Sequence, residues 1–147
     1  MSRPGIGAML GMMTSNEETV DNHNAAKGKK IKSLRLDHDY NAKDGGLEMI
    51  FDDGSGIVFY DDARSCCEHR YVHTDDNLDS FIGATFVGAD LKEGPEVEED
   101  YEVHEIQFLI INTSVGQFTV ETHNEHNGYY GGFVIRIEIY KGENDGN

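Results

Sequence analysis

The segment 65–83 has the most reactive side chains per residue in the chain. Its sequence is Ser-Cys-Cys-Glu-His-Arg-Tyr-Val-His-Thr-Asp-Asp-Asn-Leu-Asp-Ser-Phe-Ile-Gly. A catalytic cysteine needs a thiol pKa lowered by a nearby histidine or helix N-terminus, and Cys66 and Cys67 precede both features. The adjacent Glu68 opposes formation of a thiolate. Buried structural thiols are therefore the favoured interpretation, and a disulfide between sequence neighbours would be strained.

Arg70 shares one face of a predicted strand with the apolar Val72, which indicates that the Arg70 side chain points inward. A buried guanidinium needs a carboxylate or a phosphate as partner, because an unpaired buried charge is costly. Two interpretations stay open: a salt bridge to Glu68 or a nearby aspartate, and a clamp for an anionic ligand. Tyr71, the next residue, would line the same site.

A loop between two strands is predicted at residues 123–132, whose sequence is His-Asn-Glu-His-Asn-Gly-Tyr-Tyr-Gly-Gly. Asn124 and Asn127 offer hydrogen bonds to the edge of a base, and Gly128 allows a tight turn. Tyr129 and Tyr130 offer flat faces for stacking. Recognition of a planar ligand and a rigid turn that covers the end of the core are equally compatible with these residues.

Zinc-type ligands are present but lack the spacing of a structural zinc site, in which two ligand pairs are each separated by a few residues. Surface histidines are the favoured interpretation, and neither a metal nor another cofactor is assigned. The seven candidate side chains are Cys66, Cys67, His69, His73, His104, His123 and His126.

The charge is strongly negative and uneven. The 147 residues have a formal net charge of −16, and from Leu47 onward there are 22 acidic but only five basic residues. Such a field repels nucleic acids and anionic membranes and attracts basic protein surfaces. We expect no direct binding to nucleic acid and, in the absence of a long apolar stretch, no membrane span.

Alternating apolar and polar residues predict a mainly β (α+β) fold: a twisted antiparallel sheet, sandwich or partly open barrel of about eight strands with one short helix. The first three strands are expected side by side at residues 31–36, 47–51 and 56–60, with Asp and Gly turn residues joining the last two as a hairpin. The helix is expected at residues 75–82, with Thr74 as its N-cap. Residues 92–102 are predicted to be an acidic loop, and residues 103–112 a central strand buried on both faces.

The predicted domain organisation is simple. Residues 1–28 show no sustained period and are interpreted as an N-terminal arm that contacts within a homo-oligomer would order. Residues 29–141 form one β-rich domain, and residues 142–147 a C-terminal tail.

Four features follow one another along the chain: an Asp-Gly hairpin, Ser65-Cys66-Cys67-Glu68, Asp75-Asp76-Asn77-Leu78 and Asn127-Gly128-Tyr129-Tyr130. In this order they resemble a family of small bacteriophage-encoded domains of uncharacterised function. Size and β-rich architecture also make the chain similar to the phage anti-Thoeris proteins, which sequester nucleotide-derived immune signals. The resemblance implies a viral protein in the cytoplasm of an infected bacterial host.

Two functions are expected from these observations. The first is a non-enzymatic phage accessory protein that binds a small nucleotide-like ligand, with Arg70 on a phosphate, Tyr129 or Tyr130 stacked on the base, and Asn124 or Asn127 at its edge. The alternative is an acidic inhibitor that mimics nucleic acid and binds a basic host defence protein, or a virion component.

Overall fold

The computed structural model describes residues 16–37, 46–62, 68–99, 102–126 and 133–140, which form two four-stranded antiparallel sheets and one α-helix. The sheet orders are β1-β2-β3-β8 and β4-β7-β6-β5. The predicted mainly β, sandwich-like fold is confirmed, and the described strands form two separate sheets rather than a closed barrel. The elements are α1 (Glu17–Ala26), β1 (Ile31–Asp37), β2 (Gly46–Phe51), β3 (Gly56–Asp61), β4 (Glu68–His73), β5 (Phe86–Glu99), β6 (Glu102–Thr113), β7 (Gly116–His126) and β8 (Ile135–Ile139).

The core lies between the two sheets and is aromatic at its centre. Phe86 of β5 is fully buried, and its ring lies 6.3 Å from that of Phe51 and 6.4 Å from that of Phe59, both in the first sheet. Ile111 and Phe118 are also at most 1% exposed. Because apolar burial contributes about 25 cal/mol per Å², this alternation on the inner strand faces holds the sheets together.

The hairpin between β2 and β3 forms as its turn residues predict. Gly54 has a left-handed φ of 89°, and the Ser55 backbone N–H donates to Asp53 Oδ1 at 2.9 Å. The Ser55 hydroxyl donates to the same oxygen at 2.6 Å, and these two hydrogen bonds, the hydroxyl's foremost, lower the pKa of Asp53 to about 2. β1 pairs with β2 on the other side, so the first three strands lie side by side, as expected.

The helix is not where the sequence analysis placed it. Instead of a helix at residues 75–82, the structure has one 3₁₀ turn, Leu78–Phe81, capped by Asn77 rather than Thr74. The α-helix is α1, inside the segment interpreted as an arm, and its buried residues are Thr19, His23 and Ala26. No apolar stripe marks this helix, because the residues that it buries are small or polar.

Helix α1 packs against exposed edges of both sheets. Thr19 Oγ1 accepts a hydrogen bond from Ile137 N of β8 at 3.3 Å, and Asn22 Nδ2 donates to Ile137 O at 2.9 Å. On the other sheet, Ala89 N of β5 donates to His23 Nε2 at 3.0 Å. Side chains of the helix therefore satisfy backbone groups that two edge strands would otherwise leave unpaired.

The predicted acidic loop at residues 92–102 is largely strand. β5 continues to Glu99 across an irregularity between Glu93 and Glu96 that includes Pro95. Proline is tolerated here because β5 is an edge strand and the irregularity interrupts its ladder.

β6 is central in its sheet, as predicted, but it is not buried on both faces. Its inward positions include Gln107, Leu109 and Ile111, whereas His104 and Phe108 on the other face are only half-buried. The outer face of the second sheet is therefore a surface, and the apolar residues on it do not belong to the core.

Candidate functional site

The register of β4 and β7 brings together the two segments that the sequence analysis singled out. Glu68, the first residue of β4, pairs with His126, the last residue of β7, and Arg70 pairs with Asn124. The side chains of Glu68 and Arg70 are outside the described part of the structure. Also outside the described residues are Cys66, Cys67, Asn127, Gly128, Tyr129 and Tyr130.

Tyr71 and Asn124, the two predicted site residues whose side chains are described, are not brought together. Tyr71 pairs with His123 and is half-buried on the outer face of the second sheet. Asn124 belongs to β7 rather than to a loop, and it is fully buried on the inner face. The cause is strand geometry: neighbouring residues of β7 point to opposite faces, so His123 and Asn124 serve different surfaces.

A connected cluster of polar side chains occupies the outer face. We call it the outer cluster: Tyr71, His104, Glu121, His123 and Glu125. The rings of Tyr71 and His123 stack with centroids 4.6 Å apart and planes 6° from parallel. The Tyr71 hydroxyl donates to Glu125 Oε2 at 2.9 Å, and His104 Nε2 lies 2.9 Å from His123 Nδ1.

The hydrogen bonds of the outer cluster fit one arrangement of protons. His123 Nε2 lies 2.9 Å from Glu121 Oε1, so its proton is assigned to Nε2, and His123 Nδ1 then accepts from His104 Nε2. Partial burial, reinforced by the hydrogen bond to Glu125 and its charge, raises the pKa of Tyr71 to about 12. The phenol is therefore protonated at neutral pH and acts as a hydrogen-bond donor.

The surroundings of the outer cluster combine apolar and acidic groups. Ile106, Phe108 and Ile110 alternate along β6 on this face and are half-buried, and Val97 of β5 is 55% exposed. Glu125 and the exposed Glu102 flank them. An apolar and aromatic centre with a charged rim is the usual anatomy of a protein interface.

The inner face of the second sheet has a polar group of its own, at the end of β6 and β7 where the outer cluster lies on the opposite face. Glu105 Oε1 lies 3.2 Å from His126 Nε2 and accepts a hydrogen bond from Asn124 Nδ2 at 3.4 Å. The predicted site residue Asn124 therefore orients a carboxylate at the end of the core.

Neither face contains a recognisable metal centre within the described residues. No group of three or more histidine, cysteine, aspartate or glutamate side chains among them is arranged to hold a metal ion. Among the same residues, no helix has the length and apolar character needed to cross a membrane.

A model of a protein family, described as a domain of unknown function (DUF7448), matches residues 24–135. The match covers more than half of the chain and extends from within α1 to the first residue of β8. The chain belongs to this family. The DUF7448 domain thus confirms the expected membership of an uncharacterised domain family, whereas its phage origin stays a prediction. Searches among curated proteins and among solved structures found no match.

Sequence reasoning found part of the outer cluster of this DUF7448 domain. It named Tyr71 as a site residue and counted His104 and His123 only as candidate metal ligands. It missed Glu121 and Glu125, whose positions at alternate residues of β7 place them on the same face as His123. The useful signal was the alternation of Glu121, His123 and Glu125, which was obscured because residues 123–132 were interpreted as a loop.

Proposed function

We propose that this DUF7448 domain is a non-catalytic protein that binds a basic surface of a partner protein through the outer face of β4, β7 and β6. The outer cluster carries this proposal because it combines stacked rings with carboxylates. Arginine guanidinium groups stack on aromatic faces and form paired hydrogen bonds with carboxylates. The net charge of −16 would steer a basic partner toward the domain.

A binding role suits the chemistry of the outer cluster better than catalysis does. The Glu121–His123–His104 chain resembles a proton relay, but its described neighbours include no serine or cysteine nucleophile. Tyr71 has a raised pKa, which makes it a poor nucleophile near neutral pH. The relay therefore orients donors and acceptors for a ligand.

The cellular setting is part of the proposal and depends on the motif resemblance. The domain would act in the cytoplasm of a phage-infected bacterium as an anti-defence inhibitor that imitates the charge of a nucleic acid. A host defence protein with a basic nucleic-acid-binding surface is the class of partner that matches this chemistry.

The test is an affinity capture with matched variants of the full chain. Wild-type protein, Tyr71→Ala, Glu125→Gln and the control Glu18→Gln on the exposed part of α1 would be immobilised and exposed to bacterial lysate. Captured proteins would be purified and titrated at about 50 and 300 mM salt. We expect a basic partner whose affinity falls at least about tenfold at the higher salt and in the two site variants, but not in the control. Salt-insensitive association, or equal binding by Tyr71→Ala, would reject the proposal.

A second candidate, binding of a nucleotide-like ligand, is favoured by the pairing of Glu68 with His126 and of Arg70 with Asn124. This register places the described ends of the two segments, Glu68 and His126, beside each other at one end of the sheet. The carboxylates of Glu105 and Glu125 oppose a phosphate there, so this candidate ranks second.

Calorimetric titration with cyclic nucleotides and ADP-ribose derivatives distinguishes the two candidates. A small-ligand site predicts saturable heat that Arg70→Ala abolishes and Glu18→Gln preserves. The absence of heat with every compound, with the basic-partner association intact, would eliminate the second candidate alone.

A further inference from the structure

Two edges of the sandwich are covered over only part of their length. Strand β1 is an outer strand of the first sheet, and β5 is an outer strand of the second. The first part of each edge is covered: Gly83 N donates to Ile31 O of β1 at 2.8 Å, and helix α1 covers the first part of β5. Farther along, residues 32–36 of β1 and 96–99 of β5 form backbone hydrogen bonds only to their own sheet neighbour among the described residues.

The open part of β1 directs unpaired backbone groups outward. Phe51 N of β2 donates to Ser55 O, so every second residue of β2, including Met49, directs its backbone N–H and C=O groups toward β3. Leu34 stands opposite Met49, and Leu36 follows two positions later on β1. The backbone groups of Leu34 and Leu36 therefore point away from β2, where an added strand can pair with them.

The acidic end of β5 is open in the same way. Thr113 and Gly116 close the turn between β6 and β7, so they exchange hydrogen bonds, and every second residue of β6 back to Val103 also bonds to β7. Glu98 of β5 stands opposite Val103, and Glu96 lies two positions before Glu98. The backbone groups of Glu96 and Glu98 therefore point away from β6.

The side chains give the two open edges opposite charge. Residues 27–36 contain five basic residues and no acidic one, whereas residues 93–99 contain four glutamates and no basic residue. Lys32, Glu96 and Glu98 are exposed, and none of them forms an ion pair with a described residue. These charges are therefore available to a partner.

Each edge fits the other edge of a second copy, and neither fits itself. Two β1 edges side by side would bring lysine and arginine side chains together, and two β5 edges would bring glutamates together. Like charges directly opposite destabilise a strand pair, and edge lysines are a common protection against such pairing. A β1 edge beside a β5 edge instead places opposite charges across the new ladder.

We propose that copies of this chain associate head to tail, with residues 32–36 of one copy added as a strand to residues 96–99 of the next. Because the two patches differ, each copy keeps one free patch of each kind, and association can continue from copy to copy. The contact uses strand edges rather than the outer cluster, so it goes beyond the proposed function without depending on it.

The test is sedimentation equilibrium of the full chain from about 10 to 500 µM at about 150 mM salt, where charges more than about 8 Å apart are largely screened. The variants are Lys32→Glu on β1 and Glu98→Lys on β5. The control is Glu18→Lys, which makes the same charge change as Glu98→Lys on the exposed part of α1.

We expect the average mass of the wild-type protein to rise with concentration above that of one chain. Each variant should associate at least about fivefold more weakly, since it exchanges an attraction across the ladder for a repulsion. Glu98→Lys also reduces the net negative charge, so general repulsion between copies cannot explain a weaker association. Glu18→Lys should associate at least as strongly as the wild type.

An equimolar mixture of the two variants distinguishes this head-to-tail contact from a symmetric one. The β1 edge of the Glu98→Lys protein and the β5 edge of the Lys32→Glu protein are both unchanged, so the mixture should recover association that neither variant shows alone. A wild-type protein that stays monomeric at the highest concentration would overturn the proposal. Wild-type association by either variant, or a mixture that associates no better than its components, would also overturn it.

Discussion

At the scale of single residues, Tyr71 shows how a strand divides its chemistry between two faces. Its neighbour Val72 is 4% exposed in the core, whereas Tyr71 stacks on His123 outside and donates to Glu125. The carboxylate is close enough to disfavour a tyrosinate, and this repulsion keeps the phenol a donor. Moving Tyr71 by one position along β4 would remove it from the outer cluster.

Spectrophotometric titration of tyrosinate tests this arrangement. The difference between wild type and Tyr71→Phe should show one tyrosine that ionises near pH 12, because burial and Glu125 disfavour the charged form. Glu125→Gln should move this transition toward pH 10 while the amide oxygen still accepts a hydrogen bond. Ionisation near pH 10 in the wild-type protein would contradict the structure.

The close approach of Gly94 to β6 leaves no space for a side chain at this position. Gly94→Ala should lower the free energy of unfolding by about 1–3 kcal/mol, because its Cβ would overlap the Ile106 carbonyl oxygen and the Phe108 ring. Chemical denaturation measures the change. Gln117→Ala serves as the control, since Gln117 is an exposed and uncharged residue of β7.

At the scale of elements, helix α1 closes the edges of two sheets by means of polar side chains. His23 is fully buried and accepts from Ala89 N through Nε2, so in its neutral form it carries its proton on Nδ1, beside Asn24 Oδ1 at 3.0 Å. Burial lowers the pKa of His23, because the charged imidazolium would lose its hydration. Protonation would also remove the acceptor for β5.

The stability of the fold should therefore fall in mild acid. A histidine whose pKa is lowered on folding binds fewer protons in the folded state, so its contribution is present above the unfolded pKa of about 6.5 and is lost as the pH falls below it. Urea denaturation between pH 8 and 5 should show a slope of up to about 1.4 kcal/mol per pH unit from this group.

His23→Gln separates this effect from the titration of surface groups. The variant removes the imidazole, so its stability should depend less on pH over the same range even if it is lower at pH 8. Parallel pH profiles for the two proteins would show that His23 does not couple helix α1 to acid sensitivity.

The elements differ in how well the sequence predicts them, and the reason is how each one buries its residues. β2 and β3 have strand-forming residues around a turn and were predicted nearly to the residue. Helix α1 buries Thr19, His23 and Ala26, which form no apolar stripe. Its only local signals are Asn16, whose side chain accepts from Thr19 N, and the acidic pair Glu17 and Glu18 in the first turn.

Contacts between distant segments limited the prediction of the sites. Tyr71 was predicted as a site residue from the sequence, but only the register with β7 shows which residues share its face. A cavity beside the irregularity in β5 is lined by Glu105 and Gln107 of β6 and by Phe133, which precedes β8. Neither relation has a local sequence signal, because both arise from tertiary packing.

At the scale of the whole molecule, one charge distribution has two opposite consequences. The net charge of −16 favours association with a basic partner, yet it makes the carboxylates of the folded chain repel each other. β5 and β6 show this directly, since Glu96 is paired across the strands with Glu105. Salt screens both effects, so it should weaken the association and stabilise the fold.

Thermal unfolding at different salt concentrations tests the intramolecular part of this argument. Raising NaCl from about 10 to 200 mM shortens the screening length from about 30 to under 10 Å. The unfolding temperature should then rise by about 2–4 °C, which corresponds to about 1 kcal/mol for a chain of this size. In the double variant Glu98→Lys/Glu102→Lys, which reduces the net charge from −16 to −12, the rise should be smaller because there is less repulsion to screen. An unfolding temperature that does not respond to salt would mean that the acidic surface imposes no cost on folding.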